Sequence, residues 1–149
     1  MDGDITMYGP GIGRLPVDSA HNHAVETSRG TFVVCRGSFY DRNDDAVYEF
    51  DPAGHTVIRV YADSRRRQFV DPCYLALTSD DRVLVADYSR RAVLLLNSRL
   101  ELERVVIDKE PHLLRYDHPT HMCYVEQTRQ LVLVLGDSKL LKVFHVDDL

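Results

Sequence analysis

Two histidines and a tyrosine are the side chains in this sequence best suited to chemistry or ligand contact. His23, Tyr74 and His121 follow one another at intervals of about fifty residues. An imidazole titrates near neutral pH and is a common ligand of transition metals. A ring of such side chains could hold a metal, contact a ligand or make structural hydrogen bonds, and the residue types leave these three interpretations open.

Basic and aromatic side chains form a second candidate surface. Its members are Phe39, Tyr40, Arg65, Arg66, Arg67, Arg90, Arg91 and Lys139. Exposed aromatic rings anchor protein partners, whereas rings interleaved with positive charges suit single-stranded RNA. The formal net charge of −5 argues against indiscriminate nucleic-acid binding, and the same loops carry many aspartates. We therefore expect a binding surface and leave protein and RNA open as its ligand.

The sequence contains no recognisable catalytic constellation. It has no G-x-S-x-G nucleophile turn and no cysteine with a histidine placed by a motif, and its carboxylates are scattered. Cys35, Cys73 and Cys123 are odd in number and lie in apolar segments, which predicts buried reduced thiols. We expect no enzyme activity, no bound metal and no cofactor.

Short apolar segments separated by polar turns must position these residues. Four such segments lie between Pro72 and Ile107. They are Leu75–Leu77, Val83–Ala86, Val93–Leu96 and Leu100–Ile107. Runs of this length between polar turns are typical of β-strands joined by hairpins. In the turn after the second segment, we expect Asp87 to accept backbone amide hydrogens and to pair with Arg91.

This four-strand unit occurs three times. Ala24–Cys35 aligns with Leu75–Ala86 at an offset of 51, and Leu131 aligns with Val83 at an offset of 48. Four strands per copy and a period of about 40 to 50 residues are typical of β-propeller blades. We predict an all-β, partial propeller of about three antiparallel four-stranded blades. Its segments are an outer strand and linker at 1–20, blades at 21–63 and 64–109, and an incomplete blade at 110–149.

This architecture gathers the candidate residues on one face. The alignment places His23, Tyr74 and His121 at the start of the inner strand of successive blades, where side chains line the mouth of the central channel. The loops between the second and third strands lie on the same face as the connections between blades. We therefore expect the basic and aromatic loop residues to surround the channel mouth.

The segment Val83–Asn97, VLVADYSRRAVLLLN, resembles the NHL repeat, in which an apolar strand is followed by Ala-Asp, a polar turn, an Arg and a second apolar strand. Pro119–Val134 is similar to NHL propellers of invertebrate tripartite-motif-like proteins. The resemblance implies a six-bladed ring of which this chain is half, either as part of a longer protein or as a half ring that forms a homodimer. It also implies the partner-binding end of a ubiquitin ligase, in a group that includes RNA binders.

One enzyme of the same propeller group, the peptidyl-amidating lyase, is similar in fold and holds zinc through histidines that directly follow the proline of each blade. The matching residues here are Asn22, Cys73 and Thr120, so the resemblance does not carry a metal site over to this chain. A metal-dependent lyase or hydrolase is therefore a distant third alternative.

The remaining features concern the compartment and the partner. No apolar run reaches the roughly 18 to 20 residues that span a bilayer, and the first 20 residues lack the apolar core of a signal peptide. We expect a cytoplasmic protein, with the nucleus as an alternative, and no membrane partner. The sequence predicts a noncatalytic scaffold that binds a protein through its loop-bearing face, with RNA binding as the alternative.

Overall fold

The computed structural model describes residues 21–37, 46–53, 56–61, 72–108, 117–147 and 149. Their strands are β1 (His21–Glu26), β2 (Phe32–Gly37), β3 (Ala46–Phe50), β4 (Val57–Tyr61), β5 (Pro72–Leu77), β6 (Val83–Asp87), β7 (Ala92–Leu96), β8 (Leu102–Ile107), β9 (Pro119–Val125), β10 (Gln130–Leu135) and β11 (Leu141–His145). A 3₁₀ turn, Glu126–Thr128, lies between β9 and β10. No helix among the described residues has the length and apolar character to cross a membrane.

The strands form three antiparallel sheets in chain order. Sheet 1 contains β1–β4, sheet 2 contains β5–β8 and sheet 3 contains β9–β11, and strands adjacent in sequence are adjacent in each sheet. Because β1 packs beside β5 and β5 beside β9, the first strand of each sheet lies innermost. Such a series of sheets is a series of propeller blades. The predicted all-β partial propeller is confirmed.

The middle sheet is buried on both faces. Val83 and Val85 pack towards sheet 1, whereas Leu84 and Ala86, which alternate with them along β6, pack towards sheet 3. Every residue of β6 and β7 is buried. A strand covered on both faces requires a continuous apolar run rather than an alternating pattern. This burial explains why these two strands have the sequences VLVAD and AVLLL.

Hydrogen bonds between turns join neighbouring sheets at the end opposite the predicted channel mouth. The backbone N–H and the hydroxyl of Ser28 both donate to the Asp81 carboxylate, at 2.8 and 2.6 Å. Ser79 donates in the same way to Glu126, at 3.0 and 2.5 Å. Asp81 has a φ of 62°, a left-handed conformation that aspartate adopts more readily than most residues. Each turn is thereby attached to the turn of the next sheet.

Two sequence predictions need correction. Leu100 lies in the turn before β8, with a φ of 59°, rather than at the start of a strand, because the Asn97 side chain accepts two backbone N–H groups of this turn and tightens it. Cys35 is a buried thiol outside any disulfide, as predicted, whereas Cys123 is exposed because it lies on the face of β9 turned away from sheet 2. The side chain of Cys73 lies outside the described residues.

Candidate functional site

Three inner strands bring His23, Tyr74 and His121 together, and we call these three residues the aromatic cluster. Each is the third residue of its strand, in β1, β5 and β9 respectively. In every sheet the strand pairing places this residue opposite a residue near the end of the second strand, close to the turn that follows that strand. Equal registers and adjacent inner strands therefore put the three side chains side by side.

The rings of the aromatic cluster form a row with Tyr74 in the middle. The centroids of His23 and Tyr74 are 3.8 Å apart, and their planes differ by 22°. The centroids of Tyr74 and His121 are 5.2 Å apart, with a tilt of 46°. His23 and Tyr74 are half-buried, whereas His121 is exposed. The row is thus open to solvent at its His121 end, and its role in binding stays a prediction.

The surroundings of His23 favour its neutral form. Burial lowers the pKa of His23 below its ordinary value, and the charge of His121 lowers the pKa further. The Leu75 backbone N–H donates to Nδ1 of His23 at 3.2 Å. Because Nδ1 accepts this hydrogen bond, the neutral ring carries its proton on Nε2.

His121 has the opposite tautomer. The Thr120 hydroxyl donates to the Val134 carbonyl oxygen at 3.1 Å and lies 3.3 Å from Nδ1 of His121. Since the hydroxyl has only one proton to donate, Nδ1–H of His121 donates to the hydroxyl oxygen. Nε2 of the neutral ring is then an acceptor. When both rings are neutral, the aromatic cluster therefore presents an N–H donor at His23 and a nitrogen acceptor at His121.

A second pair of rings lies on the same face. Tyr88 and His118 stack with centroids 4.1 Å apart and planes 11° from parallel. Nδ1 of His118 is 3.0 Å from the Tyr88 carbonyl oxygen, and its Nε2 is 3.5 Å from the Asp137 carboxylate. Sequence reasoning missed this pair. The sequence did contain a signal for this contact. Tyr88 directly follows the end of one strand, His118 directly precedes the strand that starts at Pro119, and the repeat places both residues at the same end of the sheets.

Asp87 organises the turn between β6 and β7. Its side chain is fully buried, and its Oδ1 accepts the Arg90 backbone N–H at 3.0 Å. This confirms the expected hydrogen bond from a turn amide. An ion pair joins Oδ2 to Nε of Arg90 at 3.6 Å, and the expected pairing of Asp87 with Arg91 stays a prediction. Arg91 lies at the end of this turn and has a left-handed φ of 54°.

Asp117 organises the corresponding turn between β10 and β11. Its carboxylate accepts the backbone N–H groups of Asp137, Ser138 and His118, at 2.8, 3.0 and 2.9 Å, and the Ser138 hydroxyl. Burial raises the pKa of Asp117, but these hydrogen bonds lower it more, so that the pKa lies below its usual range. Asp117 is one of the aspartates in the loops of this face, and its side chain is buried.

The described part of the chain contains six of the eleven predicted site residues. They are His23, Tyr74, Arg90, Arg91, His121 and Lys139, and the last lies in the exposed turn before β11. Phe39, Tyr40, Arg65, Arg66 and Arg67 lie outside the described residues. Among the described residues, no group of three or more His, Cys, Asp or Glu side chains is arranged to hold a metal ion.

Comparison with known proteins gives matches among solved structures and none among family models or curated sequences. No family model matches the sequence, and a search of curated proteins gave no match. Among solved structures, the chain is similar to selenomethionine-substituted virginiamycin B lyase from Staphylococcus aureus, with a TM-score of 0.49 and 7% identity. The alignment covers 84% of this chain and 41% of that protein, so this chain spans about two fifths of its length.

Proposed function

We propose that this protein is a noncatalytic recognition scaffold of the NHL propeller type, which binds a protein partner on the face that carries the aromatic cluster. The observation that supports this proposal is the row His23, Tyr74 and His121, held at the inner edge of three rigid sheets. Half-buried rings on a rigid framework lose little conformational entropy when they bind, which is why tyrosine is enriched in protein interfaces.

The charges around the aromatic cluster favour a protein over RNA. Single-stranded RNA requires basic groups that are available to phosphates. On this face the Arg90 side chain forms an ion pair with the buried carboxylate of Asp87, and the carboxylate of Asp137 lies beside His118. The mixture of both signs would repel part of a polyanion while matching a polypeptide with its own mixed charges.

The partner chemistry follows from the hydrogen-bonding groups of the cluster. Nε2–H of His23 donates, Nε2 of His121 accepts, and the Tyr74 ring between them offers a flat surface. An aromatic or arginine side chain of the partner would stack on this surface, at about 0.5 to 1.5 kcal/mol per ring contact. We infer a noncatalytic role because Tyr74 separates the two imidazoles, which supports ligand contact rather than joint activation of one substrate atom.

Selection from a random peptide library displayed on phage tests the proposal, with the 149-residue chain as the immobilised target. Peptides selected on the unaltered chain should bind the Tyr74→Ala variant about tenfold more weakly, equivalent to roughly 1.4 kcal/mol. Tyr74→Phe should retain most of the affinity because it keeps the ring. Arg99→Ala, which alters an exposed side chain in the β7–β8 turn at the other end of the sheets, should change nothing.

A labelled oligouridine in the same assay separates the RNA alternative. Protein recognition predicts weak oligouridine binding and peptide affinities that change little with salt. Oligouridine binding that falls steeply with salt and is lost in Tyr74→Ala would instead support RNA as the ligand. Peptides whose affinity is the same for Tyr74→Ala and the unaltered chain would overturn the proposed site.

A further inference from the structure

Tyr88, His118 and Asp137 form a second group on the face that carries the aromatic cluster, and we call these three residues the His118 site. Tyr88 lies in the turn between β6 and β7, His118 directly precedes β9, and Asp137 lies in the turn between β10 and β11. The three residues come from three separate segments of the chain. None of them belongs to the aromatic cluster, whose members lie on β1, β5 and β9.

Hydrogen bonds hold the backbone of the His118 site in place. The buried Asp117 carboxylate accepts the backbone N–H of His118 at 2.9 Å and that of Asp137 at 2.8 Å. The Gly136 N–H donates to the His118 carbonyl oxygen at 3.0 Å. The His118 ring is fixed in turn by its stack on Tyr88 and by the contact of Nδ1 with the Tyr88 carbonyl oxygen. A ligand therefore meets preformed groups and orders little of the chain when it binds.

The neutral His118 ring places two hydrogen-bond acceptors side by side. A carbonyl oxygen can only accept, so Nδ1 carries the ring proton and donates it to Tyr88. Nε2 of the neutral ring then has a lone pair and no proton. It lies 3.5 Å from Oδ2 of Asp137, which is also an acceptor, and the Asp137 side chain is 61% exposed. Two acceptors at this distance repel each other unless a donor reaches both, and the exposed carboxylate is accessible to a donor from outside the chain.

A guanidinium group has the chemistry that this pair of acceptors requires. It is a planar cation with several N–H donors in a fixed fork and no acceptor. Its charge complements the Asp137 carboxylate, and two neighbouring N–H groups of the fork can reach Nε2 and the carboxylate together. An ammonium group has the charge but neither the plane nor the fork. The acceptors thus favour arginine over lysine.

The Tyr88 ring adds a contact that also favours a planar cation. A donor that is hydrogen-bonded to Nε2 lies in the plane of the His118 ring, because the lone pair points along that plane. The Tyr88 ring is 11° from parallel to this plane, with its centroid 4.1 Å from that of His118. A cation bound at Nε2 therefore lies within about 6 Å of the Tyr88 ring, the range of cation–π attraction.

A metal ion is a poorer match for the same groups. Imidazole and carboxylate are both zinc ligands, but structural zinc sites take four protein ligands and catalytic sites take three. The His118 site supplies two. In the part of the chain that the structure describes, no three His, Cys, Asp or Glu side chains are arranged to hold a metal ion. The donor set therefore selects an organic cation.

We propose that the His118 site binds the side chain of an arginine residue, with Nε2 of His118 and the Asp137 carboxylate as acceptors and the Tyr88 ring beside the guanidinium group. The site can be tested without a partner. Its role in recognising the partner rests on the proposed function, because the partner then places an arginine here while another of its side chains contacts Tyr74. The proposal thus specifies a basic residue in the partner, which the aromatic cluster by itself does not.

Nuclear magnetic resonance titration of the 149-residue chain with Nα-acetyl-arginine amide tests the site. The titration is run at pH 8, above the range in which an imidazole ordinarily takes up a proton. We expect the ring signals of His118, identified by their absence from His118→Gln, to shift in a saturable way. Nα-acetyl-citrulline amide, which has a similar shape and no charge, should bind about fivefold more weakly or worse, because it cannot form the ion pair.

Asp137→Asn should weaken binding of the arginine amide about fivefold and should bind the arginine and citrulline amides equally. The turn should persist in this variant, because Asp117 binds the backbone N–H of Asp137 rather than its side chain, and unchanged amide signals elsewhere would verify this. The matched control is Glu101→Gln, which removes an equally exposed carboxylate, 59% against 61%, at the other end of the sheets and should bind as the unaltered chain does.

Three outcomes would overturn the proposal. They are no His118 shift with the arginine amide, equal affinities of the unaltered chain for the arginine and citrulline amides, and the same weakening in Glu101→Gln as in Asp137→Asn. The peptides selected on phage separate the site from the proposed function. If both hold, a selected peptide contains an arginine whose replacement by citrulline weakens binding about fivefold on the unaltered chain and not on Asp137→Asn.

The two proposals can fail separately. A saturable His118 shift with the arginine amide, together with peptides that bind Tyr74→Ala as well as the unaltered chain, would support the His118 site and overturn the proposed partner site. Peptides that depend on Tyr74, together with no His118 shift, would support the partner site and overturn the arginine site.

Discussion

Glu49 is a buried carboxylate in sheet 1, and its replacement by glutamine tests how this fold holds a charge. The side chain is 1% exposed. It accepts hydrogen bonds from the Thr31 hydroxyl at 2.8 Å and from the guanidinium groups of Arg29 and Arg59 at 3.2 and 2.5 Å. Glutamine preserves the volume of the side chain, but it removes the negative charge. It also turns its own NH₂ group towards one of the groups that donate a hydrogen bond to Glu49.

The expected loss of stability follows from the exposure of the partners. A hydrogen bond to a charged group contributes about 1.5 to 3 kcal/mol, whereas an ion pair with an exposed partner contributes about 0 to 1 kcal/mol. Arg29 and Arg59 are 45 and 36% exposed, so each contact contributes about 1 kcal/mol. With a weakened bond from Thr31, Glu49→Gln should lower the free energy of unfolding by about 2 to 3 kcal/mol.

Urea unfolding followed by circular dichroism, at one fixed protein concentration, measures this loss. With a slope of about 1 to 3 kcal/mol per molar urea, the midpoint should fall by about 1 M or more. In an Arg59→Gln background, Glu49→Gln should cost less, because one of its contacts is already absent. The control Glu101→Gln, which removes an exposed carboxylate beside Arg99, should leave the midpoint unchanged. A Glu49→Gln midpoint equal to that of the unaltered protein would refute the reasoning.

Three further predictions concern pH, the inter-sheet turns and close packing. The pKa of His23 is lower in the folded protein, so the unfolded chain takes up this proton first as pH falls below 6.5, and acid destabilises the fold. Acid should therefore lower the urea midpoint less in His23→Gln than in the unaltered protein. Equal pH profiles of the two proteins would contradict this. Asp81→Asn weakens two hydrogen bonds from Ser28 and should cost about 1 to 2 kcal/mol in thermal unfolding, and an unchanged melting temperature would argue against the inter-sheet role. Gly136→Ala places Cβ 2.8 Å from Cγ2 of Thr120 and should cost about 1 to 3 kcal/mol. Adding Thr120→Ser removes that methyl group and should restore part of the loss, whereas equal stability of the single and double variants would exclude this clash.

The sequence by itself determined the strands, their repetition and their order. Apolar runs such as Val83–Ala86 are separated by short polar turns, and local chemistry of this kind specifies a strand and a hairpin without reference to the rest of the chain. The repeat offset then placed His23, Tyr74 and His121 at equivalent positions. Because register in a hairpin follows from turn length and side-chain alternation, this equivalence could be predicted before any contact was known.

Only the tertiary structure decided which side chains meet and which faces are covered. The stacking of Tyr88 on His118 and the hydrogen bonds that bury Asp117 join residues from separate turns, and no local pattern encodes such contacts. The sequence predicted a buried thiol at Cys123, and the apolar strand β11 contains Val143. Both side chains are exposed, because sheet 3 has no following sheet within the described chain. Burial depends on what packs against a strand, whereas the strand itself depends on its own residues.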